Sequence, residues 1–326
     1  MNTELGWGLL GCGGIAGKFA ADITAAPGNR LVAVGSRDHA KAAAFVAEKC
    51  PGATAHGEYA GLVADPTVHA VYIATPHNRH AADALLAINA GKHVLVEKPF
   101  ALNAAEAQRV FSAARERGVF CGEAMWTRFL PVMAQVRAWI RSGAIGAVER
   151  IDADFSFRVS VAETHRLIAP ELAGGALLDV GIYVLALVQD VMGRVPDTIR
   201  ASARFLPNGV DGGTAMTGLW EPEGARAQLS CALDTLGDQG ARIVGATGTI
   251  EIPVFYCAGA ATLRRADGTT KTTTGAAGFQ FEILAAAAAI RAGQGGFDLI
   301  SPEQTQALAT TLDAVRAQVG LRYPGE

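Results

Sequence analysis

Two short segments of the chain contain residue types that could perform acid–base chemistry, and the first is Glu97-Lys98-Pro99. It directly follows the apolar run His93–Val96, whose hydrophobicity does not alternate and therefore predicts a parallel strand covered on both faces. Ligands of open α/β sheets bind outside the carboxyl ends of such strands. A lysine there can hold a positive charge over a hydroxyl or ketone, or titrate near neutrality if it is desolvated. A solvated strand-end lysine is the alternative interpretation, because lysine is rarely buried without a partner.

The second segment is Gly174–Tyr183, in which Asp179 and Tyr183 stand at positions i and i+4. Residues at that spacing share one face of a helix, and the other faces here are Ala, Leu, Ile and Val. A polar pair on such a helix needs partners, since an unpaired buried polar group costs about 1–3 kcal/mol. Gly181 removes a side chain where a flat ring could approach. A nearby Lys98 ammonium would favour the ionised phenol, which suits proton exchange with an alcohol. Taken alone, the pair is better explained as a core-edge tyrosine and a cap-like aspartate, and Lys98 together with a dinucleotide loop reverses that preference.

A glycine-rich loop lies near the N-terminus, where Gly11–Ala16 matches the pattern G-x-G-x-x-G/A. The glycines allow a tight turn and let backbone N–H groups approach a pyrophosphate, while the following helix N-terminus adds partial positive charge. A strand before the loop and a helix after it predict a dinucleotide site, and a glycine turn without a ligand is the alternative. The predicted cofactor contacts of this loop are Gly11, Gly13, Gly14, Ile15 and Ala16.

The end of the second predicted strand bears on the choice of cofactor. An NAD site usually places Asp or Glu here to accept from the ribose 2′-OH, whereas NADP sites favour Arg near the 2′-phosphate. Ser36 is neutral and Arg37 follows it, so the sequence favours NADP, with NAD as the alternative. Asp38 is the counterargument, but Asp is a common helix N-cap and we prefer that role for it.

A further loop, residues 74–78, follows another apolar strand and is expected to line the same cleft. Its backbone and hydroxyl groups would face the dinucleotide, with His77 and Asn78 near the ribose or nicotinamide. His77 is equally compatible with a plain turn. The remaining predicted cofactor contacts are Thr75, Pro76, His77, Asn78, Glu97 and Lys98.

A regular fold must position these segments. The first part of the chain alternates strands and helices from Gly8–Leu10 to Val119–Phe120, which predicts a doubly wound parallel sheet of the Rossmann type. The second part changes to successive strands separated by Gly and Pro turns, typical of an α+β domain with a mostly antiparallel open sheet, partly covered by a helix at Gly175–Met192. We assign residues 1–124 to the dinucleotide-binding domain and residues 125–326 to a substrate-binding domain, whose C-terminal helix could pack back on the first.

Composition excludes several classes of partner. The net charge is −3, and no basic stripe interleaved with aromatics predicts binding of nucleic acid. No uninterrupted apolar stretch approaches about 18 residues, which argues against a membrane span. Glu4 stands where a signal peptide would carry basic residues, the five cysteines form no Cys-x-x-Cys, and the histidines are scattered. We therefore expect a cytoplasmic protein with reduced thiols and no metal site.

The order of the glycine loop, Glu97-Lys98-Pro99 and the Gly-Gly…Asp-x-Gly-x-Tyr segment resembles the oxidoreductase family of glucose–fructose oxidoreductase and inositol 2-dehydrogenase, over nearly the whole chain. Much of that family ends the last motif in His, where this chain has Tyr183. Together with residues 123–131 and the closing residues 320–324, this tyrosine resembles the subgroup of dimeric dihydrodiol dehydrogenase and NADP-dependent D-xylose 1-dehydrogenase.

The resemblance implies roles for individual residues. Lys98 and Tyr183 match the catalytic pair, Asp179 matches a residue that supports it, and the Lys98–Pro99 bond is expected to be cis. Tyr183 would remove the hydroxyl proton of an alcohol with the help of the charge on Lys98, while the hydride passes to C4 of NADP. A homodimer formed through the sheet of the second domain is also implied.

The substrate side is predicted less fully. Trp126 and Phe155 could form an apolar wall, and Arg166 could contact substrate hydroxyls or cap a loop. The expected activity is NADP-dependent oxidation of a sugar, cyclic polyol or trans-dihydrodiol hydroxyl. The alternatives are an inositol or amino-sugar dehydrogenase of the same family and a non-catalytic NADP-binding regulator. The predicted substrate contacts are Trp126, Arg128, Phe155 and Arg166.

Overall fold

The computed structural model describes residues 4–324, which divide into two compact units. The first unit contains the chain up to Trp126 together with Gly278–Gln306, and the second contains Thr127–Ala277 and the chain from Ala307 onward. A single division after residue 124 therefore differs from the observed path. The chain returns to the first unit because the helix that follows Gly278 packs against the second strand of that unit.

The first unit is built on a parallel sheet whose strands run in the spatial order β3-β2-β1-β4-β5-β6. The predicted doubly wound sheet is confirmed. The direction of strand addition reverses between β1 and β4, and ligands of such sheets bind at this switch point. The strands are β1 (Leu5–Leu10), β2 (Asn29–Gly35), β3 (Thr54–His56), β4 (Ala70–Ile73), β5 (His93–Glu97) and β6 (Cys121–Ala124).

Two of the described helices, α2 (His39–Lys49) and α5 (Ala104–Arg117), begin at a residue whose side chain caps the first turn. For example, the Asn103 side chain accepts from Glu106 N at 2.9 Å at the start of the fifth helix, and Gly118 ends that helix at φ 65°. The helices of the described residues are α1 (Gly14–Asp22), α2 (His39–Lys49), α3 (Tyr59–Ala64), α4 (His80–Asn89), α5 (Ala104–Arg117), α6 (Pro131–Arg141), α7 (Ile182–Met192), α8 (Gln280–Arg291) and α9 (Pro302–Val319).

Two features of the first unit differ from the sequence-based expectation. The last strand begins at Cys121 rather than at Val119, because Val119 N donates to the end of α5 and Phe120 N donates to His93 Nδ1 at 2.9 Å. The short elements β3 and α3 were not predicted. Each is too brief to show a clear hydrophobic period, and β3 is an edge strand without a buried residue.

The second unit contains a sheet in the order β14-β13-β12-β11-β7-β10-β9-β8. Among the described strands of this second sheet, only β7 and β10 pair in parallel, so the predicted mostly antiparallel sheet is confirmed. The last two strands of the chain, β13 and the edge strand β14, were not predicted, and β14 is a run of mostly exposed Thr and Lys without an apolar face. The strands are β7 (Val148–Ser156), β8 (Thr198–Phe205), β9 (Asp211–Trp220), β10 (Ala225–Ala232), β11 (Ala241–Gly245), β12 (Gly248–Ile252), β13 (Ala260–Arg265) and β14 (Thr270–Thr274).

The predicted central helix of this unit is present in two parts, a π-helical segment Leu177–Gly181 and then α7. Both parts pack on the sheet at β7 and β10. Among the described residues, Pro170–Met192 is the one helical stretch long and apolar enough to cross a membrane, but 89% of its most apolar window is buried inside the protein, as in a core helix. A Cβ on Gly181 would lie 2.9 Å from Cys231 Sγ, so this glycine allows close helix–sheet packing and does not leave space for a ring.

Candidate active site

The glycine loop lies at the switch point of the parallel sheet. Gly11 has φ +103°, and a Cβ there would lie 2.5 Å from Ala74 O, so only glycine fits this position without strain. Gly11 N donates to Gly35 O at 3.0 Å, and Ala74 N donates to Leu10 O at 2.9 Å. The loops after β1, β2 and β4 are thereby held together at the carboxyl edge of the sheet.

The next residues of the loop leave room for a ligand. A Cβ added at Gly13 or Gly14 would meet no atom within 4 Å among the described residues, and Gly13 caps α1 without a side-chain hydrogen bond. Ile15 is half-buried and Ala16 is buried, which anchors the helix in the core. The start of α1 therefore has open space beside it, as a pyrophosphate site requires.

The residues after β2 divide between a structural and an exposed role. Asp38 Oδ1 accepts from Ala40 N at 3.0 Å, which confirms the predicted N-cap of α2. Ser36 Oγ accepts from Asp38 N at 3.2 Å. Because the Asp38 carboxylate is engaged by the helix, exposed Arg37 is the charged group of this turn that remains available to a ligand.

The loop after β4 contains a buried polar atom that suits the cofactor. The Thr75 hydroxyl is buried and has no hydrogen-bond partner among the described residues. His77 is buried with its ring 5.7 Å from the His80 ring, whereas Pro76 is half-buried and Asn78 is exposed. The unsatisfied hydroxyl and the open glycine turn both fit a dinucleotide bound across this edge.

His80 connects this loop to the turn that follows β5. Its ring nitrogens lie 2.8 Å from Thr75 O and 2.7 Å from Pro99 O. Complete burial lowers the pKa of His80 to about 3, and the hydrogen bonds to the two backbone carbonyls oppose this shift. The sequence placed His80 only as a surface or core histidine. Its position at the start of α4 is the one signal that could have indicated this bridging role.

Lys98 stands at the carboxyl end of β5, as predicted, and only 8% of it is exposed. The Lys98–Pro99 peptide is cis, which confirms that expectation. Lys98 N donates to Glu97 Oε2 at 3.2 Å, and the Tyr72 hydroxyl donates to Glu97 Oε1 in a very short hydrogen bond. Through these two hydrogen bonds the buried Glu97 carboxylate holds the backbone of the turn that contains Lys98.

A second buried acid, Glu282 of α8, lies in the same unit and was not predicted. It is fully buried, and neither of its carboxyl oxygens has a hydrogen-bond partner among the described residues. Burial, together with the negative charges of Glu97 and Asp22, raises the pKa of Glu282 well above its usual range. A glutamate in the first turn of a helix resembles a surface residue in sequence, so tertiary packing alone reveals this one.

Trp126 is buried in the first unit against Phe279, with ring centroids 5.2 Å apart. Lys18 Nζ lies 4.9 Å from the Phe279 centroid and 5.7 Å from that of Trp126. The same ammonium pairs with Asp22 at 3.0 Å, and Asp22 accepts from Phe279 N at 2.7 Å. Trp126 is therefore held rigidly by an aromatic and ionic cluster.

In the second unit, Asp179 and Tyr183 are both buried, at 4% and 7% exposure. Arg166 Nη1 lies 3.1 Å from Asp179 Oδ1, which joins two of the predicted site residues. The Tyr183 ring packs edge-on against Phe155 at 5.3 Å. Tyr256, which was not predicted, stacks on Phe155 at 4.2 Å and completes an aromatic cluster around the phenol.

Arg128 is held by hydrogen bonds to α7. It is only 2% exposed, its guanidinium donates to Ala186 O at 3.0 Å, and it makes a short hydrogen bond with Gln189 Oε1. Both acceptors belong to α7, so these hydrogen bonds hold Arg128 against that helix, and its role as a substrate contact stays a prediction. Among residues 4–324, no group of three or more His, Cys, Asp or Glu is arranged to hold a metal ion.

Comparison with known proteins identifies the family. Residues 5–125 match a model described as an oxidoreductase family with an NAD-binding Rossmann fold, and residues 133–251 match the GFO/IDH/MocA C-terminal domain. The trans-1,2-dihydrobenzene-1,2-diol dehydrogenase of Sus scrofa is 31% identical over 333 residues, which covers 98% of each chain. This protein belongs to the GFO/IDH/MocA family of oxidoreductases.

Other members of the family are similar over shorter or equal lengths. The NADP-dependent D-xylose 1-dehydrogenase of Hypocrea jecorina is 37% identical over 238 residues, covering 65% of this chain and 61% of that enzyme. A 3-ketoreductase from Actinomadura kijaniata, solved with NADP and TDP-benzene, superposes with a TM-score of 0.84 at 27% identity, over 97% of this chain and 98% of that one. The aldose–aldose oxidoreductase of Caulobacter crescentus superposes at 0.88 with 23% identity, over 97% and 98% of the two chains, and shows the shared fold.

Proposed function

We propose that this oxidoreductase is an NADP-dependent dehydrogenase that oxidises a hydroxyl of a sugar, cyclic polyol or trans-dihydrodiol. The observation that carries the proposal is the position of Lys98. It is nearly buried at the carboxyl end of β5, in the sheet whose switch point presents the open glycine turn. Relatives named as D-xylose and dihydrodiol dehydrogenases support this class of substrate.

In this proposal, Tyr183 and Lys98 act as the acid–base pair on the substrate hydroxyl. Tyr183 in its ionised form accepts the hydroxyl proton on its phenolic oxygen, and the positive charge of Lys98 stabilises the negative charge on the two oxygens. Asp179, held by Arg166, supports the helix turn that leads to Tyr183. The bound cofactor supplies the nicotinamide that accepts the hydride.

We assign the cofactor to the residues at the carboxyl edge of the parallel sheet. The N–H groups at the start of α1, beside Gly13 and Gly14, would hold the pyrophosphate. Arg37 would pair with a 2′-phosphate, and the Thr75 hydroxyl would gain the partner that it otherwise lacks. Arg37 is exposed next to Asp38, whose carboxylate is occupied in capping α2, and this combination favours NADP over NAD.

The proposal is tested by a panel of sugars, cyclic polyols, trans-dihydrodiols, inositols and amino sugars, each assayed with both cofactors. Formation of reduced NADP should follow addition of a sugar or diol, and Tyr183→Phe should lower its rate to a small residual value. Faster turnover of an inositol or amino sugar would assign the other substrate class. Tight NADP binding without turnover of any compound would identify a regulator and overturn the enzymatic proposal.

We further propose a homodimer that forms through the open face of the second unit's sheet. This face carries a groove of about 1260 Å³ lined by charges of both signs, among them Arg150, Asp152, Arg242 and Glu251. A second copy presenting the same face could pair these charges in a two-fold arrangement. Light scattering should give twice the chain mass, and Arg150→Glu with Arg242→Glu should shift it toward the monomer. A monomeric wild type would contradict this assembly.

The five cysteines are free thiols, which agrees with the reducing compartment that we propose, the cytoplasm. Fractionation of cells that express the full chain tests this, and recovery of oxidised protein from a secretory fraction would contradict it.

A further inference from the structure

Asp211 is a buried carboxylate of the second unit that the proposed chemistry does not use. It is the first residue of β9 and is 0% exposed. Its Oδ2 atom accepts from Leu177 N and from Thr214 Oγ1, each at 2.7 Å. An ionisable side chain is rarely buried so completely without a structural or chemical reason.

The hydrogen bond to Leu177 falls at a sensitive point. Leu177 is the first residue of the π-helical segment that contains Asp179, and this segment leads directly into the helix of Tyr183. The cap residue of that segment, Ala176, supplies no side-chain hydrogen bond. The first N–H groups of a helix need an acceptor and favour a negative charge, and here Asp211 supplies it from a different strand.

The backbone next to this contact is shaped to admit the carboxylate. Gly175 has φ +124°, and a Cβ there would lie 2.3 Å from Asp211 Oδ1. Any other residue at position 175 would therefore displace the carboxylate and strain the turn. Glycine at this position and an acid at position 211 are complementary, which links the Gly-Gly motif of the sequence to a residue 36 positions further along the chain.

Asp211 also has a limited set of charged and titratable neighbours. Cys231 of β10 lies close enough for the Asp211 charge to raise the pKa of its thiol, and the Tyr323 hydroxyl lies beside the same glycine, 3.4 Å from the Cβ position. Burial raises the pKa of Asp211 to about 6, partly offset by the hydrogen bonds from Thr214 and Leu177. The carboxylate is therefore mostly ionised near pH 7, in the form that best caps the helix.

We propose that Asp211 is a positioning residue of the active site, which holds the first turn of the helix that carries Asp179 and Tyr183 and thereby sets the location of the Tyr183 phenol. This inference rests on the proposed role of Tyr183. It extends that role by explaining why the phenol that follows a π-helical segment stays in register: the start of that segment is fixed from β9 and not only by its own hydrogen bonds.

The first test compares Asp211→Asn and Asp211→Ala with the wild type. Asn keeps an acceptor oxygen for Leu177 N but loses the charge, and Ala removes both. We expect kcat to fall in the order wild type, Asn, Ala, with a loss of roughly 10- to 100-fold for Ala, because small displacements of a reacting group are costly. KM and the Kd of NADP should change little. Equal loss of kcat and cofactor affinity would overturn the proposal.

Two further variants separate positioning from a general loss of stability. Asp190→Asn removes a nearly buried carboxylate of α7, the helix of Tyr183, where Asp190 pairs with Arg137 at 2.8 Å. This variant should lower Tm without a comparable fall in kcat. Thr214→Val removes one donor to Asp211 and leaves the helix intact, so it should give a smaller fall in kcat even if Asp211→Ala fails to fold. A loss of kcat in Asp190→Asn that matches that of Asp211→Asn would contradict the assignment.

A double-mutant cycle gives the sharpest result. If Asp211 acts through Tyr183, then Asp211→Asn should have little effect on the residual turnover of Tyr183→Phe, whereas independent roles would give additive losses. If the wild type turns over no substrate, the proposed function fails, and hydrogen exchange still tests the inference. Residues 176–183 should then exchange faster in Asp211→Asn while residues 184–192 do not, and unchanged exchange in the first range would overturn it.

Discussion

Arg166 and Asp179 form an ion pair, 3.1 Å between Nη1 and Oδ1, in which a partly exposed arginine holds a buried carboxylate. The side chain of Arg166 is 43% exposed and that of Asp179 is 6% exposed. The pairing explains how an acid can remain on the apolar helix that leads to Tyr183, since an unpaired buried carboxylate would be strongly disfavoured. The pairing also means that Arg166 binds Asp179, whatever contact it makes with the substrate.

The first prediction follows from this pair. Arg166→Gln should lower kcat several-fold with a smaller change in KM, because the Asp179 carboxylate loses its counter-charge while the substrate surface is little altered. Arg166→Lys should recover part of the activity. Steady-state kinetics on the best substrate measures both, and a rise in KM at constant kcat would instead assign Arg166 to direct substrate contact.

Lys98→Met should abolish turnover and leave cofactor affinity largely intact. Methionine keeps the length of the side chain in this nearly buried position but removes the charge that the proposed mechanism requires. The loss in kcat should be at least 100-fold, in line with the effect of removing a positioned acid–base or electrostatic group. Cofactor titration and steady-state rates provide the comparison, with exposed Lys49→Met as the matched control. Unchanged activity in Lys98→Met would refute the mechanism.

The glycine turn offers a pair of matched variants. A methyl group at Gly13 or at Gly17 would meet no atom within 4 Å among the described residues, so neither substitution should destabilise the free protein. Gly17→Ala should even stabilise it by up to about 1 kcal/mol, since the position is inside α1. Gly13→Ala should weaken NADP binding at least tenfold if the pyrophosphate occupies the space beside it. Calorimetric binding and thermal melts measure the two effects, and normal affinity in Gly13→Ala would place the phosphates elsewhere.

Cofactor preference provides a further prediction. Arg37→Ala should weaken NADP far more than NAD, because the guanidinium pairs only with the extra phosphate. Asp38→Asn is the control, since Asn preserves the cap on Ala40 N and removes only the charge. It should leave the ratio of the two affinities nearly unchanged. An equal loss of affinity for NADP and NAD in Arg37→Ala would show that this turn does not contact the 2′ position of the ribose.

Glu282 predicts a specific pH dependence of stability. Its pKa is raised in the folded state, so the folded protein keeps a proton that the unfolded chain releases above about pH 4.3. The penalty from this residue is therefore absent at low pH, grows as the pH rises through the range between the two pKa values, and is complete above the folded value. Glu282→Met should accordingly stabilise the protein by about 1–4 kcal/mol near pH 8 and by much less near pH 4.

Denaturant unfolding at a series of pH values measures this difference. Glu282→Gln serves as the control, because it removes the titration but leaves a polar amide in the same buried site, and it should abolish the pH-dependent part with a smaller gain. A constant difference between Glu282→Met and the wild type across the pH range would mean that Glu282 does not titrate differently on folding.

Much of the first unit was predictable because its signals are local. Non-alternating apolar runs mark strands buried on both faces, the G-x-G-x-x-G/A pattern marks the first turn, and Asp38 before α2 is a helix cap that depends only on neighbouring residues. The positions of Lys98 at a strand end and of Asp179 and Tyr183 on one helix follow from the same short-range periodicities. The sequence thus determined the fold class and the residue types available for chemistry.

Tertiary structure alone decided which of those residues are free for a ligand. The Arg128 guanidinium is hydrogen-bonded to acceptors on α7 that lie about sixty positions away in the chain. The space beside Gly181 is occupied by Cys231, which belongs to the much later strand β10. Asp211 reaches Leu177, and Glu282 is buried near Glu97, only because strands and helices distant in sequence pack together. Burial and hydrogen bonding between segments that are distant in the chain leave no periodic pattern in the local sequence. They therefore cannot be predicted from neighbouring residues.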